Sequence, residues 1–225
     1  NLYNITGKGG LWDPIALYDQ LDDRYVMTEF VNKNEAGSQV LSIAVSQTND
    51  PTGSWYVYFF STGTTFPDYP KFSVWPDAYY AKTNNFNSFN NYIGSSVYAF
   101  DRISMLAGNP TATMQVFISG MGYKDFSMTP VLLQGNTVPA ANTGGLFAYL
   151  QESSWSGSST DSIGLIEFKV DFSNPANSGI IGRASLVTSA YSSVVCGSPR
   201  SQCIPQPGSA VLLEALDQRV MNQPI

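Results

Sequence analysis

The chain has 225 residues, 43% of them hydrophobic and 12% charged, with a net charge of −6 and no histidine. The length suits one large domain or two small ones, and the apolar content is enough for a core, so global disorder is excluded. Without histidine there is no Ser-His, Cys-His or His-metal chemistry, and 11 basic residues argue against a nucleic-acid groove.

No apolar run approaches the ~18 residues of a membrane helix. Scarce Lys and Arg beside plentiful Ser, Thr, Asn, Gly and Tyr fit strands and turns in an extracellular or cell-surface protein. Asn1 is not a start residue and no signal peptide is visible, so the chain reads as a mature or trimmed product. Asn4-Ile-Thr6 is a glycosylation sequon.

Apolar runs of strand length are bounded by Gly, Pro, Asn or Asp, and they recur in a fixed order. The first unit opens with Pro14-Ile-Ala-Leu-Tyr18 and turns at Gln20-Leu-Asp-Asp-Arg24. It continues through Tyr25 to Phe30 and Val40 to Val45, turns at Asn49-Asp-Pro-Thr-Gly53, and ends with Trp55 to Phe60. The second opens with Pro70 to Trp75 and runs through Ala78 to Ala81 and Ser96 to Phe100. It turns near Asn109-Pro110 and ends with Met114 to Ile118. The third opens with Pro130 to Leu133 and runs through Leu146 to Leu150 and Gly164 to Val170. It turns at Asn174-Pro175 and ends with Ile180 to Val187. A further opening appears at Ala210 to Leu213, and Leu216-Asp-Gln-Arg-Val-Met221 echoes Leu21 to Met27. The stretches 101–107 and 211–220 are the only short helical candidates.

Opening prolines at 14, 70 and 130 and turn prolines at 51, 110 and 175 mark the repeat. Four strands per unit at this period predict an all-β fold, a β-propeller of four-stranded blades spanning 11–61, 66–119, 127–189 and an incomplete 208–225. A β-sandwich is the alternative, but it gives no reason for matching turn chemistry in successive units. Three blades and the start of a fourth leave a ring open. The expectation is closure by residues beyond this stretch or by a neighbouring chain.

Propeller topology sends the connections between blades, and those from second to third strands, to one end. There they are long and aromatic, which marks a ligand end. Asp68, Tyr69, Phe86, Phe89, Tyr92, Tyr123 and Trp155 are the predicted ligand-binding residues, because flat rings cover apolar sugar faces while amides and carboxylates bond hydroxyls. Packing of a long loop is the competing reading of Phe86, Phe89 and Tyr92. Asp13, Asp68, Asp125 and Glu152 are candidate carboxylates for glycoside hydrolysis, which needs an acid and a base or nucleophile facing one bond. No local motif pairs them. Cys196 and Cys203 close a short Gly- and Pro-containing loop that suits a disulfide, with free thiols as the alternative. Four-ligand zinc is excluded, since no other Cys or His exists. Asp19, Asp22 and Asp23 form an acidic turn that could hold calcium but lacks an EF-hand pattern, and no other cofactor is expected.

The run Ser46-Gln-Thr-Asn-Asp50-Pro-Thr-Gly53-Ser54-Trp55 resembles the Asp-box of sialidase-like propellers, Ser-x-Asp-x-Gly-x-Thr-Trp, with altered spacing and Ser54 in place of Thr. The phrases Trp12 to Asp19 and Phe66 to Tyr80 are similar to large secreted or surface bacterial propeller proteins of unestablished activity. The resemblance implies that Asp50, Gly53 and Trp55 stabilise a blade and stand away from the ligand end. It also implies that an enzyme of this family would use an arginine cluster and a tyrosine nucleophile. Arg24, Arg102 and Arg219 fall at the opposite end and Arg183 in an outer strand, which leaves Arg200. The expectation is therefore a binding or adhesion module for a glycan or protein partner. Its alternatives are a fragment of a glycoside-processing enzyme and a structural subunit of a larger extracellular assembly.

Overall fold

The computed structural model describes residues 11–31, 38–120, 122–135, 137–198, 201–215 and 223. The apolar runs form three antiparallel sheets, each with its four strands in chain order. The first holds β1 (Leu11–Asp19), β2 (Arg24–Val31), β3 (Gln39–Ser46) and β4 (Trp55–Gly63). The second holds β5 (Phe66–Val74), β6 (Tyr79–Phe86), β7 (Tyr92–Phe100) and β8 (Met114–Ile118). The third holds β9 (Thr129–Pro130), β10 (Gly145–Gln151), β11 (Ser162–Lys169) and β12 (Gly179–Val187). The fold is all-β among the described residues, apart from the helix α1 (Arg102–Leu106) and two short 3-10 turns. The predicted helix at 101–107 forms there, with the Asp101 carboxylate accepting from Ser104 N at 3.1 Å as its N-cap.

The repeat has a physical basis at two places. In β1 the ladder shifts between Trp12 and Ile15, around Asp13-Pro14; in β5 it shifts between Asp68 and Lys71, around Tyr69-Pro70. Asp13 (φ 46°) and Tyr69 (φ 51°) both take left-handed backbone there. Each lies just before a proline that cannot donate to the ladder, so both strands bulge at the same step. The turns between third and fourth strands also match. Asp50 Oδ1 accepts from Thr52 N and Oγ1 at 2.8 and 2.6 Å, and Asn109 Oδ1 accepts from Thr111 N and Oγ1 at 3.0 and 2.9 Å. In the third unit Asp171 takes this part, accepting from Ser173 N and Oγ at 2.9 and 2.6 Å. These are Asx turns, which close a hairpin bend through side-chain acceptors.

The sheets stack face to face. Val26, Phe30, Leu41, Ile43, Val45, Tyr58 and Phe60 of the first sheet pack on Phe72, Tyr79, Ala81, Tyr98 and Phe100 of the second. The other face of the second sheet, with Tyr80, Val97 and Ala99, packs on Phe147, Tyr149, Ile166 and Phe168 of the third. β1 lies against β5 and β5 against β9, so the first strands neighbour one another while β4, β8 and β12 form the far edges. At the β10–β11 pair, Gly164 lies opposite Tyr149, and a Cβ there would come within 2.1 Å of the tyrosine ring.

Two expectations change. The opening strand from Pro130 to Leu133 shortens to β9, because the chain leaves the ladder for a 14-residue connection, 131–144, where the other two units use four-residue turns (20–23 and 75–78). The second departure is in the tail, where the opening expected at Ala210 to Leu213 forms as a strand but pairs in a two-stranded hairpin, and residues 211–214 of the helical candidate 211–220 are therefore strand. β13 (Gln202–Gln206) and β14 (Ser209–Glu214) make a hairpin turned at Pro207-Gly208, with Gly208 at φ 72°. The echo at Leu216 to Met221 lies outside the described residues, as do Asn4-Ile-Thr6, Arg200 and Arg219. Cys196 and Cys203 form the expected disulfide at the base of this hairpin.

Candidate functional site

Strand alternation puts the connections 64–65, 87–91, 119–128, 152–161 and 188–201 at one end, called here the loop end. The β6–β7 loop is built around Asn87. Its Oδ1 accepts from Phe89 N and Asn91 N, both at 3.0 Å, while Asn87 N donates to Asn91 O and Asn90 N to Asn87 O. Asn90 closes the turn at φ 61°, a conformation Asn tolerates. This caged backbone holds out Phe89, which is 82% exposed.

The neighbouring rings behave differently. Tyr92 meets Phe86 and Phe126 edge-on, with centroids 5.8 and 5.2 Å apart. Phe86 and Tyr92 therefore pack the base of the loop, and Phe89 alone of the three is presented. A cleft of about 380 Å³ beside them is lined by Tyr92, Ile93, Gly94, Ile118, Gly120 and Gly122.

A buried polar chain reaches this cleft. Lys82 is fully buried on β6; its Nζ donates to Asn84 Oδ1, and to Phe126 O at 3.2 Å. Ser95 Oγ donates to the same Asn84 oxygen at 3.0 Å and shares a 2.9 Å hydrogen bond with the Tyr92 hydroxyl. That hydroxyl lies 3.4 Å from Gly122 O on the cleft wall. Asn84 Nδ2 is buried with no partner among the described residues. Lys82, Asn84 and Ser95 were missed by sequence reasoning. Their signal is the polar run Lys82-Thr-Asn-Asn85 in the middle of a strand buried on both faces, where apolar residues are the rule.

The remaining candidates are dispersed. Asp68 pairs with Asn84 across β5–β6, and the Lys71 ammonium lies 4.2 Å from the Tyr69 ring centroid. Asp13 is exposed. It corresponds by bulge register to Tyr69, not to Asp68, so the two aspartates do not occupy equivalent positions. The side chains of Tyr123 and Asp125 lie outside the described residues.

Glu152 is buried and engaged. It accepts from Ser154 Oγ at 2.6 Å, Trp155 Nε1 at 2.9 Å, Ser193 N at 2.8 Å and Ser193 Oγ. Burial alone would raise its carboxyl, but these donors outweigh it and hold it down to about 2. A general acid needs the opposite direction. Asp161 accepts from Ser153 N and Tyr191 N, both at 2.7 Å. Glu152, Trp155 and Asp161 thus staple the β10–β11 loop to the segment after β12.

The acidic turn is likewise engaged. Asp19 is fully buried and receives Arg102 Nε at 2.7 Å, Arg102 Nη2 at 2.9 Å and the Tyr79 hydroxyl at 2.9 Å. Asp22 is paired with Arg102, and Asp23 accepts from the Tyr18 hydroxyl at 2.6 Å and Asn49 Nδ2 at 2.9 Å. An arginine therefore sits where calcium was considered, and no cluster of three or more metal-ligating side chains occurs among the described residues. Arg183 pairs with Glu167, while Arg24 donates to the backbone of its own turn. At the β3–β4 turn, Gly53 N donates to Asp50 O at 3.2 Å and Trp55 Nε1 to Pro51 O at 3.3 Å. Comparison with protein families, with curated proteins and with solved structures finds no match to this chain.

Proposed function

We propose that the three sheets are consecutive blades of a β-propeller that lies outside the cell or on its surface, and that its loop end binds a glycan or a protein partner. The observation that carries the binding reading is Phe89, an aromatic ring held in water by a hydrogen-bonded cage of backbone and Asn87. A ring left exposed on an ordered loop suits a ligand with an apolar face. The adjoining cleft adds the Tyr92 hydroxyl and the Gly122 carbonyl, groups that can bond hydroxyls. Support for blades comes from the stacking order, the contact between first strands, and the shared bulge and Asx-turn chemistry. The glycoside-processing alternative is weakened by Glu152, whose carboxylate is committed to its loop.

The test is a glycan array probed with the chain and with Phe89→Ala. Phe86 is a packing residue, so its variant reports on the loop rather than the ligand, whereas Tyr92→Phe keeps the packed ring and removes the hydroxyl offered to the cleft. A hit that loses about tenfold or more in affinity with Phe89→Ala, at unchanged thermal unfolding, supports the reading. Binding that ignores Phe89→Ala removes the loop from the site.

A further inference from the structure

The surface that the second sheet turns toward the first is aromatic over most of its length, where Phe100 meets Phe60 of β4 with centroids 4.9 Å apart. Nearer the loop end the same surface becomes polar. By strand alternation Thr83, Asn85 and Ser96 continue the row of Ala81 and Tyr98. Thr83 Oγ1 donates to Asn85 Oδ1 at 2.9 Å, and Asn85 Nδ2 donates to Ser96 Oγ at 2.7 Å. Polar groups between two sheets cost free energy where only apolar groups cover them. Here the first sheet does not cover them, and a cleft of about 200 Å³ stands over this floor.

Thr62 and Thr65 wall the cleft on one side and Val116 of β8 on another. Thr65 is half-buried, and its hydroxyl makes no hydrogen bond among the described residues. Ile93 and Ile118 line this cleft and also the cleft of about 380 Å³ beside Tyr92. The two clefts therefore adjoin across one pair of aliphatic side chains, 51% and 73% exposed. In the larger cleft Gly94, Gly120 and Gly122 leave the walls as bare backbone. Among the described residues, no charged side chain lines either cleft.

Resting on the loop-end binding reading above, we propose that the ligand is a neutral glycan of at least two sugars, one in each cleft, with its junction lying over Ile93 and Ile118. A charged group would lose water in either cleft and meet no counter-charge there. The lining hydroxyls of Thr62, Thr65, Ser96 and Tyr92 both donate and accept, as sugar hydroxyls do. The two isoleucines offer an apolar surface to the C–H face of a sugar ring. Taken alone, the smaller cleft falls below the ~300 Å³ at which small-molecule sites begin, whereas the two together fall within that range. A single sugar would fill one cleft and leave the other in water.

The probes are lactose, cellobiose and diacetylchitobiose, their component monosaccharides, and sialyllactose as the acidic comparison, titrated into the 225-residue chain and followed by amide chemical shifts. The expected result is saturable binding of at least one disaccharide, with shifts at 62–65 as well as 92–94 and 118–120. Its monosaccharides should bind about tenfold or more weakly, and sialyllactose no more tightly than lactose. Val116 is 47% exposed on the edge strand β8, so Val116→Phe fills the smaller cleft from its rim. It should bring the disaccharide down to the monosaccharide level at unchanged thermal unfolding. Thr65→Val adds no bulk and should weaken the disaccharide by about threefold to tenfold. No saturable disaccharide binding, equal binding of disaccharide and monosaccharide, or tighter binding of sialyllactose than of lactose overturns the proposal. Phe89→Ala separates this from the reading it rests on. Monosaccharide-level binding that is lost in Phe89→Ala keeps the loop site and removes the second cleft, whereas disaccharide binding that needs Val116 but not Phe89 keeps both clefts and removes the loop.

Discussion

At the scale of single residues, the tightest demand is the junction of the first two sheets, where Asp19 at the end of β1 meets Arg102 at the start of α1. Both side chains are nearly or fully buried, and Tyr79 and Leu21 N add further hydrogen bonds to the carboxylate. A buried pair adds little net stability over an apolar replacement, but removing one partner strands the other charge. Arg102→Met should therefore lower unfolding stability by about 3–5 kcal/mol in a urea titration. The double variant Asp19→Asn with Arg102→Met should recover part of that loss, and additive single effects would show that the pair is not coupled. This partnership was not legible in the sequence. Asp19 and Arg102 are 83 residues apart, and an acidic turn reads the same whether it holds calcium, water or a guanidinium. The same limit hid Lys82 and Asn84, since a polar run in a strand gives no sign of what it bonds across a sheet interface.

At the scale of elements, the apolar runs and Asx-Pro turns located nearly all the strands, because a strand needs only local alternation and a turn needs only its own side-chain acceptor. The anchoring of the 131–144 connection was not legible, since the side chains that hold it, Gln20 donating to Gly135 O and Trp75 to Val131 O, belong to other units. The β10–β11 staple is similar, because it depends on Ser193 and Tyr191 beyond β12. It should also respond to pH. The Glu152 carboxyl is held down to about 2 from an ordinary 4.5, so the folded form prefers the carboxylate. Its contribution is present in full above pH 4.5 and is lost as pH falls toward 2, with a size on the order of 3 kcal/mol. Asp161 and Asp171 are lowered too and act in the same sense, whereas burial raises Glu29 and Asp77, whose protonation in acid relieves strain. Amide exchange at Ser193 should therefore accelerate relative to the β6 core as pH is lowered from 4.5, after correction for intrinsic rates. Glu152→Gln should show fast exchange already at pH 7. A variant with unchanged protection at Ser193 would remove the staple.

At the scale of the whole molecule, the stacking rule leaves a question at the third sheet. The first sheet buries one face on the second, and the second buries its corresponding face on the third. Along β12, Ile180 packs inward with the second sheet's core, so Ile181 points outward by strand alternation, and the ladder shift around Arg183 brings Leu186 to the same outer face. Leu186 pairs directly with Ile163 of β11. Ile163 is 38%, Ile181 42% and Leu186 57% exposed, an apolar stripe where the repeat would place another sheet. β12 is also the sheet edge, with no further strand beside it among the described residues. Covering each of these side chains would contribute roughly 1.5–3 kcal/mol, so the stripe should be occupied whenever a matching face is available. This observation also favours the reading of the chain as part of a larger assembly. In isolation, the 225-residue chain should associate with concentration and scatter light above its 24.5 kDa monomer mass. Ile163→Lys with Leu186→Lys places like charges on the stripe without touching the inner face, and should restore the monomer with little change in thermal unfolding. A parent chain that stays at 24.5 kDa across the concentration range, or a double variant that associates as strongly, would show that this face needs no partner.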